Sequence, residues 1–133
     1  MDLIEKFTEH LRTVITRTMV FATERGIERI TPIHFIWALM TQKGCIAATI
    51  LESALDRKLL LREIDRQSLK IQAPANKFTP LLSENSQRSI ECAIRIAAKR
   101  EHHYVGTEHL LDSILSVRDR ELERFWKQAR VNA

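Results

Sequence analysis

The amino-acid sequence predicts an all-α protein of about seven to eight helices, arranged as two helical repeats related by a pseudo-two-fold axis. Three observations predict this. Apolar residues recur at helical spacing almost everywhere along the chain. The 133 residues include only 3 Gly and 3 Pro, with 44% hydrophobic and 29% charged side chains, a balance that suits an ordered helical protein rather than a disordered tail. Finally, the pattern repeats at an offset of 75 residues, the spacing between His34 and His109.

Thr8 is a hydroxyl N-cap for a first helix whose buried face is Leu11, Val14, Ile15, Thr18 and Ala22. Thr31-Pro32 reads as a cap followed by proline at the first helical position, where its missing N–H costs nothing. That second helix is expected to run to about Lys43, with Gly44 ending it. Ile46, Ala47, Ile50, Leu51 and Ala54 mark a third, and Leu59, Leu60 and Ile64 a fourth after Asp56. The stretch "SLKIQAPANKFTP", residues 68 to 80, has no period and two prolines, and reads as a connector. Ser83 then caps a helix with Ile90, Ala93, Ile94, Ala97 and Ala98 on its apolar face.

At the offset of 75, Glu9 meets Glu84, Ile15 meets Ile90, Ala22 meets Ala97 and Arg25 meets Arg100. Phe35-Ile36 falls on Leu110-Leu111, and Ile50-Leu51 on Phe125-Trp126. Helices therefore recur in one order, in halves that cannot bury their apolar faces alone. By size the chain is one domain, residues 1–133, with repeat one at about 7–67, the connector at 68–80 and repeat two at about 82–133.

The net charge is +4, but 21 Lys and Arg are interleaved with 17 Asp and Glu, which points to a solvated mixed surface instead of a nucleic-acid patch. Cys45 and Cys92 have no CxxC spacing, and "MDLIEKFTEH" carries charge from its second residue, so reduced thiols in a cytoplasmic protein are expected. No apolar run approaches the roughly 18 residues of a membrane span.

"AAKREHHYVGTEHLLDSIL" resembles the segment found in each repeat of the Clp ATPase N-terminal domain, where a long helix ends in a basic turn and "GTEHLL" opens the next helix. "IAATILESALDRKLLLREI", residues 46 to 64, is similar to that family's following helix pair. The resemblance covers nearly the whole chain. There are departures: the first half reads "RITPIHFIWAL", with Ile33 in the place of Glu108. The first half's fourth helix would map beyond residue 133, so seven clear helices are expected, the eighth being absent or lying past the sequenced end. A stop just before an expected helix favours a fragment of a longer protein.

The resemblance implies a protein-binding module, a chaperone component that recruits substrates or adaptor proteins for ATP-dependent unfolding and proteolysis. It implies no cofactor, no membrane and no nucleic acid. The chain has no GxxxxGK[ST] phosphate loop and is not itself the motor. In ClpC-type members the glutamate of this motif helps to hold the guanidinium of phosphorylated arginine, and a hydroxyl at a helix start helps with the phosphate. Carried over by position, the ligand-binding residues are Glu108 with the hydroxyls of Thr8 and Ser83. Phe7 and Tyr104 are expected to anchor partners, while Trp37 and Trp126 read mainly as core.

Other readings are weaker. His102, His103, Glu108 and His109 are dense, but adjacent histidines diverge and no zinc-ligand spacing supports a metal site. His34 and His109 read as structural histidines. Ser83, Ser86 and Cys92 have no motif coupling them to a base, so no catalytic residue is assigned. The alternative from another class is a helix-turn-helix DNA-binding regulator built on "FIWALMTQKGCIAATILES", but Cys45, Ile46, Ala47 and Ala48 look made for burial where a recognition helix needs polar side chains.

Overall fold

A computed structural model describes residues 3–68 and 80–129. Among them a short 3-10 turn, Leu3–Lys6, precedes seven α-helices: α1 (Glu9–Arg25), α2 (Pro32–Thr41), α3 (Ile46–Ala54), α4 (Arg57–Ser68), α5 (Glu84–Lys99), α6 (Thr107–Ser116) and α7 (Arg120–Ala129). The fold is all-α with two related halves, as the helical spacing requires. Most of the expected connector, residues 69–79, lies outside the described residues.

Two of the three predicted hydroxyl caps form side-chain hydrogen bonds, while Thr31 stands at the N-cap of α2 without one. Thr8 Oγ1 accepts the Leu11 amide at 3.1 Å, and Ser83 Oγ accepts the Ser86 amide at 3.1 Å. Pro32 opens α2. That helix ends at Thr41, two residues before the expected Lys43. Gln42 is already extended, and Gly44 (φ +85°) turns within the loop that follows.

The centre of the domain is α2 and α6. Phe35, Ile36, Leu39, Leu110 and Ile114 on them are almost fully buried, and truncating any one to alanine is of the class that costs about 2–5 kcal/mol. α1 packs on α2 and α5 on α6. The third helix of each half crosses over, α3 touching α6 and α7 touching α2, so each half is completed by the other. α4, which has no counterpart among the described residues of the second half, packs on α2 and α7.

The sequence reading has no strand, yet two short strands occur. β1 (Arg29–Ile30) and β2 (Leu81–Leu82) pair in parallel, with Ile30 opposite Leu82. Phe7 forms an isolated parallel bridge with Val105. The offset of 75 turns one pair into the other, because Phe7 maps to Leu82 and Ile30 to Val105. The hydrogen bonds follow: the Thr8 amide donates to the Val105 carbonyl at 2.9 Å, and the Ser83 amide to the Ile30 carbonyl at 2.8 Å. The residues leading into the first helix of each half thus pair with the residues leading into the second helix of the other half.

One expected alignment needs correction. At offset 75 Ile50 falls on Phe125, but Ile50 is 49% exposed and Phe125 is 2% exposed. Burial matches one residue earlier, pairing Leu51 with Phe125 and Ala48 with Leu122. The loop from α2 to α3 is one residue longer than that from α6 to α7, which shifts the register of the third helix. Ile46, expected to be buried, is 60% exposed and shares the outward face of α3 with Ile50, one turn further on.

Candidate functional site

The Thr8–Val105 hydrogen bond, with the reciprocal Val105 amide to the Lys6 carbonyl at 2.8 Å, brings the capped start of α1 alongside the start of α6. Glu108 lies in the first turn of α6, half-buried, where its charge complements the positive end of the helix. The Tyr104 hydroxyl points to Glu108 Oε2 at 3.5 Å. Gly106 leaves room for this carboxylate: a Cβ there would sit 2.1 Å from Glu108 Oε1. Tyr104 is 40% exposed, whereas Phe7 is 9% exposed and belongs to the core, supporting this surface from beneath.

Ser83 is placed apart from Thr8 and Glu108. It stands at the equivalent position of the other half, beside Ile30, buried, with its hydroxyl donating to Ser86 Oγ at 3.1 Å. Ser86 in turn donates to the Ile30 carbonyl at 2.7 Å. Ile33, the counterpart of Glu108, is fully buried and has no atom with which to accept a hydrogen bond.

Around Ser83 the structure forms an open cleft of about 410 Å³, lined by Thr31, Asn85, Arg118, Asp119 and Arg120 among others. The N-termini of α2, α5 and α7 meet there. Asp119 caps α7, accepting the Leu122 amide at 3.0 Å, and takes a second hydrogen bond from Asn85 Nδ2 at 2.9 Å. Sequence reasoning missed this cleft. The available signal was an aspartate three residues before Leu122, an N-cap pattern.

The two structural histidines do the same work. His34 Nδ1 accepts the Thr31 amide and His109 Nδ1 the Gly106 amide, each at 2.9 Å. Each satisfies a backbone donor at a helix start that would otherwise be orphaned. Burial pushes His34 down to about 4, with the charge of Asp119 acting in the opposite direction. Burial likewise lowers His109, against the nearby charge of Glu108. His109 Nε2 also lies 2.7 Å from His102 Nδ1, and His102 stacks on Tyr104 with the ring planes 6° apart.

Other features are plain. Cys45 and Cys92 are unpaired. The exposed side chains of α3 are Ile46, Thr49, Ile50, Glu52 and Ser53, a face without a basic group to meet a nucleic-acid backbone. Among the described residues no helix is long and apolar enough to cross a membrane.

A profile of the Clp repeat (R) N-terminal domain matches residues 6–129. Among curated relatives, the chaperone protein ClpB of Mycobacterium leprae is 29% identical over 106 residues, covering 78% of this chain and 12% of its own length. ClpB of Mycobacterium tuberculosis is 32% identical over 109 residues, with the same coverage. The chain thus spans about an eighth of the length of these relatives. An uncharacterised protein of Mycobacterium tuberculosis is 27% identical over 120 residues, covering 86% of this chain and 44% of that protein. In solved structures, the fold is that of the N-terminal domain of ClpD from Arabidopsis thaliana, with a TM-score of 0.78, 16% identity and coverage of 98% of this chain and 89% of the other. The Hsp104 N-terminal domain from Candida albicans gives 0.76 at 19% identity, with coverage of 96% and 83%. Profile, relatives and fold agree, and the chain belongs to the Clp repeat (R) N-terminal domain family.

Proposed function

We propose that this chain is a protein-binding module that receives substrates or adaptor proteins for a Clp-type unfoldase, in the cytoplasm, and performs no chemistry of its own. Its ligand site is the surface shared by Thr8, Tyr104 and Glu108. The observation that carries the reading is the backbone pairing of Thr8 with Val105, which sets a capped helix start beside a carboxylate drawn from the other half. A carboxylate pairs with a guanidinium through charge-assisted hydrogen bonds, and a helix N-terminus accepts a phosphate. Phosphorylated arginine in a polypeptide has both groups. The open ring of Tyr104 adds apolar area for the rest of the peptide. Ser83 occupies the equivalent position in the other half, where buried Ile33 replaces the carboxylate, so one strong site per chain is the expectation.

Titration calorimetry with phosphoarginine tests this. One site per chain is expected, abolished by Glu108→Ala and retained in Ser83→Ala. Two equal sites, or one site indifferent to Glu108→Ala, would sink the assignment.

A further inference from the structure

His102 and His109 make a contact that a cap alone does not require. His109 is fully buried. Its Nδ1 accepts the Gly106 amide, so the proton of the neutral ring sits on Nε2. That nitrogen meets His102 Nδ1 at 2.7 Å. His109 therefore donates and His102 accepts, which fixes the tautomer of both rings: the proton of neutral His102 is on its own Nε2. The single ring nitrogen at which exposed His102 can take a further proton is the one that accepts from His109.

We propose that His102 is a proton-operated latch on the loop between α5 and α6, whose opening moves Tyr104 away from Glu108. Protonation at His102 Nδ1 places two N–H donors against one another, and the hydrogen bond between the rings ends. The ring of Tyr104, stacked on His102 with centroids 5.1 Å apart, follows it outward. The Tyr104 hydroxyl then leaves Glu108, whose carboxylate becomes more open to a ligand.

His109 does not compete for that proton. His109 has its free nitrogen occupied by the Gly106 amide, and burial holds its pKa low. The charges acting on His109 are Glu108 and Asp112 on α6, which favour a proton there, and His102 and Arg100, which oppose one. Arg100 is itself paired with Asp112 at 2.8 Å. Glu101 and His103 flank His102 in the chain, and Lys6, from the segment before α1, meets this loop through its backbone carbonyl. The rest of the loop is held independently, by the Ala97 carbonyl accepting the His102 amide at 2.9 Å and by the Val105–Phe7 bridge. Opening is thus confined to side chains at positions 102 and 104. The first half has no such device, because the offset puts Ile27 at the position of His102.

The effect on ligand binding rests on the proposed site, but the latch itself is read without ligand. The experiment is a pH titration of the whole chain from pH 8 to 5, following the histidine rings and the backbone amides by NMR. The His102 ring and the Tyr104 and Gly106 amides should shift with a common midpoint. His102→Gln keeps an acceptor for His109 without a titrating group, and its loop amides should stay in place across the range. His102→Lys should hold those amides at pH 8 where the wild type reaches them at pH 5. Amide shifts that persist in His102→Gln overturn the latch, as does a wild type in which His102 titrates while Tyr104 and Gly106 stay still. Failure of phosphoarginine to bind at every pH removes the proposed site and leaves these shifts unaffected.

Discussion

The guanidinium of Arg17 lies over the indole of Trp37, 5.3 Å from the ring centre, while its nitrogens reach past the ring to the end of α2. Nη1 donates to the Ala38 carbonyl at 3.3 Å and to Gln42 Oε1 at 3.0 Å, and Nη2 to the Thr41 hydroxyl at 2.8 Å. Phe21 stacks on Trp37 at 4.1 Å. A cation at a helix C-terminus with several satisfied donors is worth more than a surface pair. Arg17→Met should cost about 2 kcal/mol in urea unfolding. Arg17→Lys should recover little of it, since an ammonium lacks the fork that spans these acceptors.

Glu101 has φ +59°, at the position where the first half has Gly26 at φ +70°. Both close a first helix, the Gly26 amide donating to the Thr23 carbonyl at 3.3 Å and the Glu101 amide to the Ala98 carbonyl at 3.0 Å. A side chain in this left-handed region carries a cost that glycine avoids. Glu101→Gly should stabilise the chain by about 1 kcal/mol, and Gly26→Ala should destabilise it by a similar amount. Thermal unfolding of the two variants checks both signs.

Acid should weaken the fold through His34. Its pKa is about 4 when folded against an ordinary 6.5, so between these values the unfolded chain binds a proton that the folded one refuses. Stability therefore rises with pH across that window. It is fully present above about pH 6.5 and is lost as pH falls to about 4, an effect of about 3 kcal/mol. His109 acts in the same direction. In His34→Gln the amide oxygen can still accept the Thr31 N–H, and the slope of unfolding free energy against pH from 4.5 to 6.5 should be reduced.

Gly106→Ala should separate stability from binding. Its φ of −111° suits any residue, but the new methyl would meet the Glu108 carboxylate, the flexible end of a side chain that can swing aside. Unfolding should change by less than about 1 kcal/mol. Phosphoarginine affinity should fall by about tenfold or more, the equivalent of one disturbed charge-assisted hydrogen bond.

Lacking a phosphate loop, the purified chain should neither bind nor hydrolyse ATP. Turnover by the chain alone, measured as phosphate release, would contradict this. An effect on a Clp ATPase supplied separately is allowed.

How much of this was legible in the sequence depends on the range of the interaction involved. Thr8, Ser83 and Thr31-Pro32 announced three helix starts because capping is settled within four residues. The 75-residue offset exposed the two halves because packed faces preserve apolar pattern. The end of α2 was misplaced since Arg17, from another helix, caps it, and no local signal reports that. The register shift at Leu51 and Phe125 came from a single loop residue, which a comparison by fixed offset cannot register. The two-residue strands were invisible because pairing with a distant segment, and not β propensity, creates them. For the site, Glu108 was singled out by the family resemblance and Tyr104 by its aromatic type, whereas the burial of Phe7 and Ile33 and the contact of His102 with His109 became apparent only in three dimensions.

The bridge between Phe7 and Val105 has a consequence for where this domain can be cut. Starting the chain at Glu9 looks harmless, since α1 would be kept whole. It would remove the Lys6 carbonyl and the Thr8 amide together, the two groups that satisfy the backbone of Val105. Besides the lost Thr8 cap on α1, the damage would reach the far side of the sequence, where the turn into α6 would lose its template. The N-terminal border of this domain is therefore set by a loop about a hundred residues downstream of it.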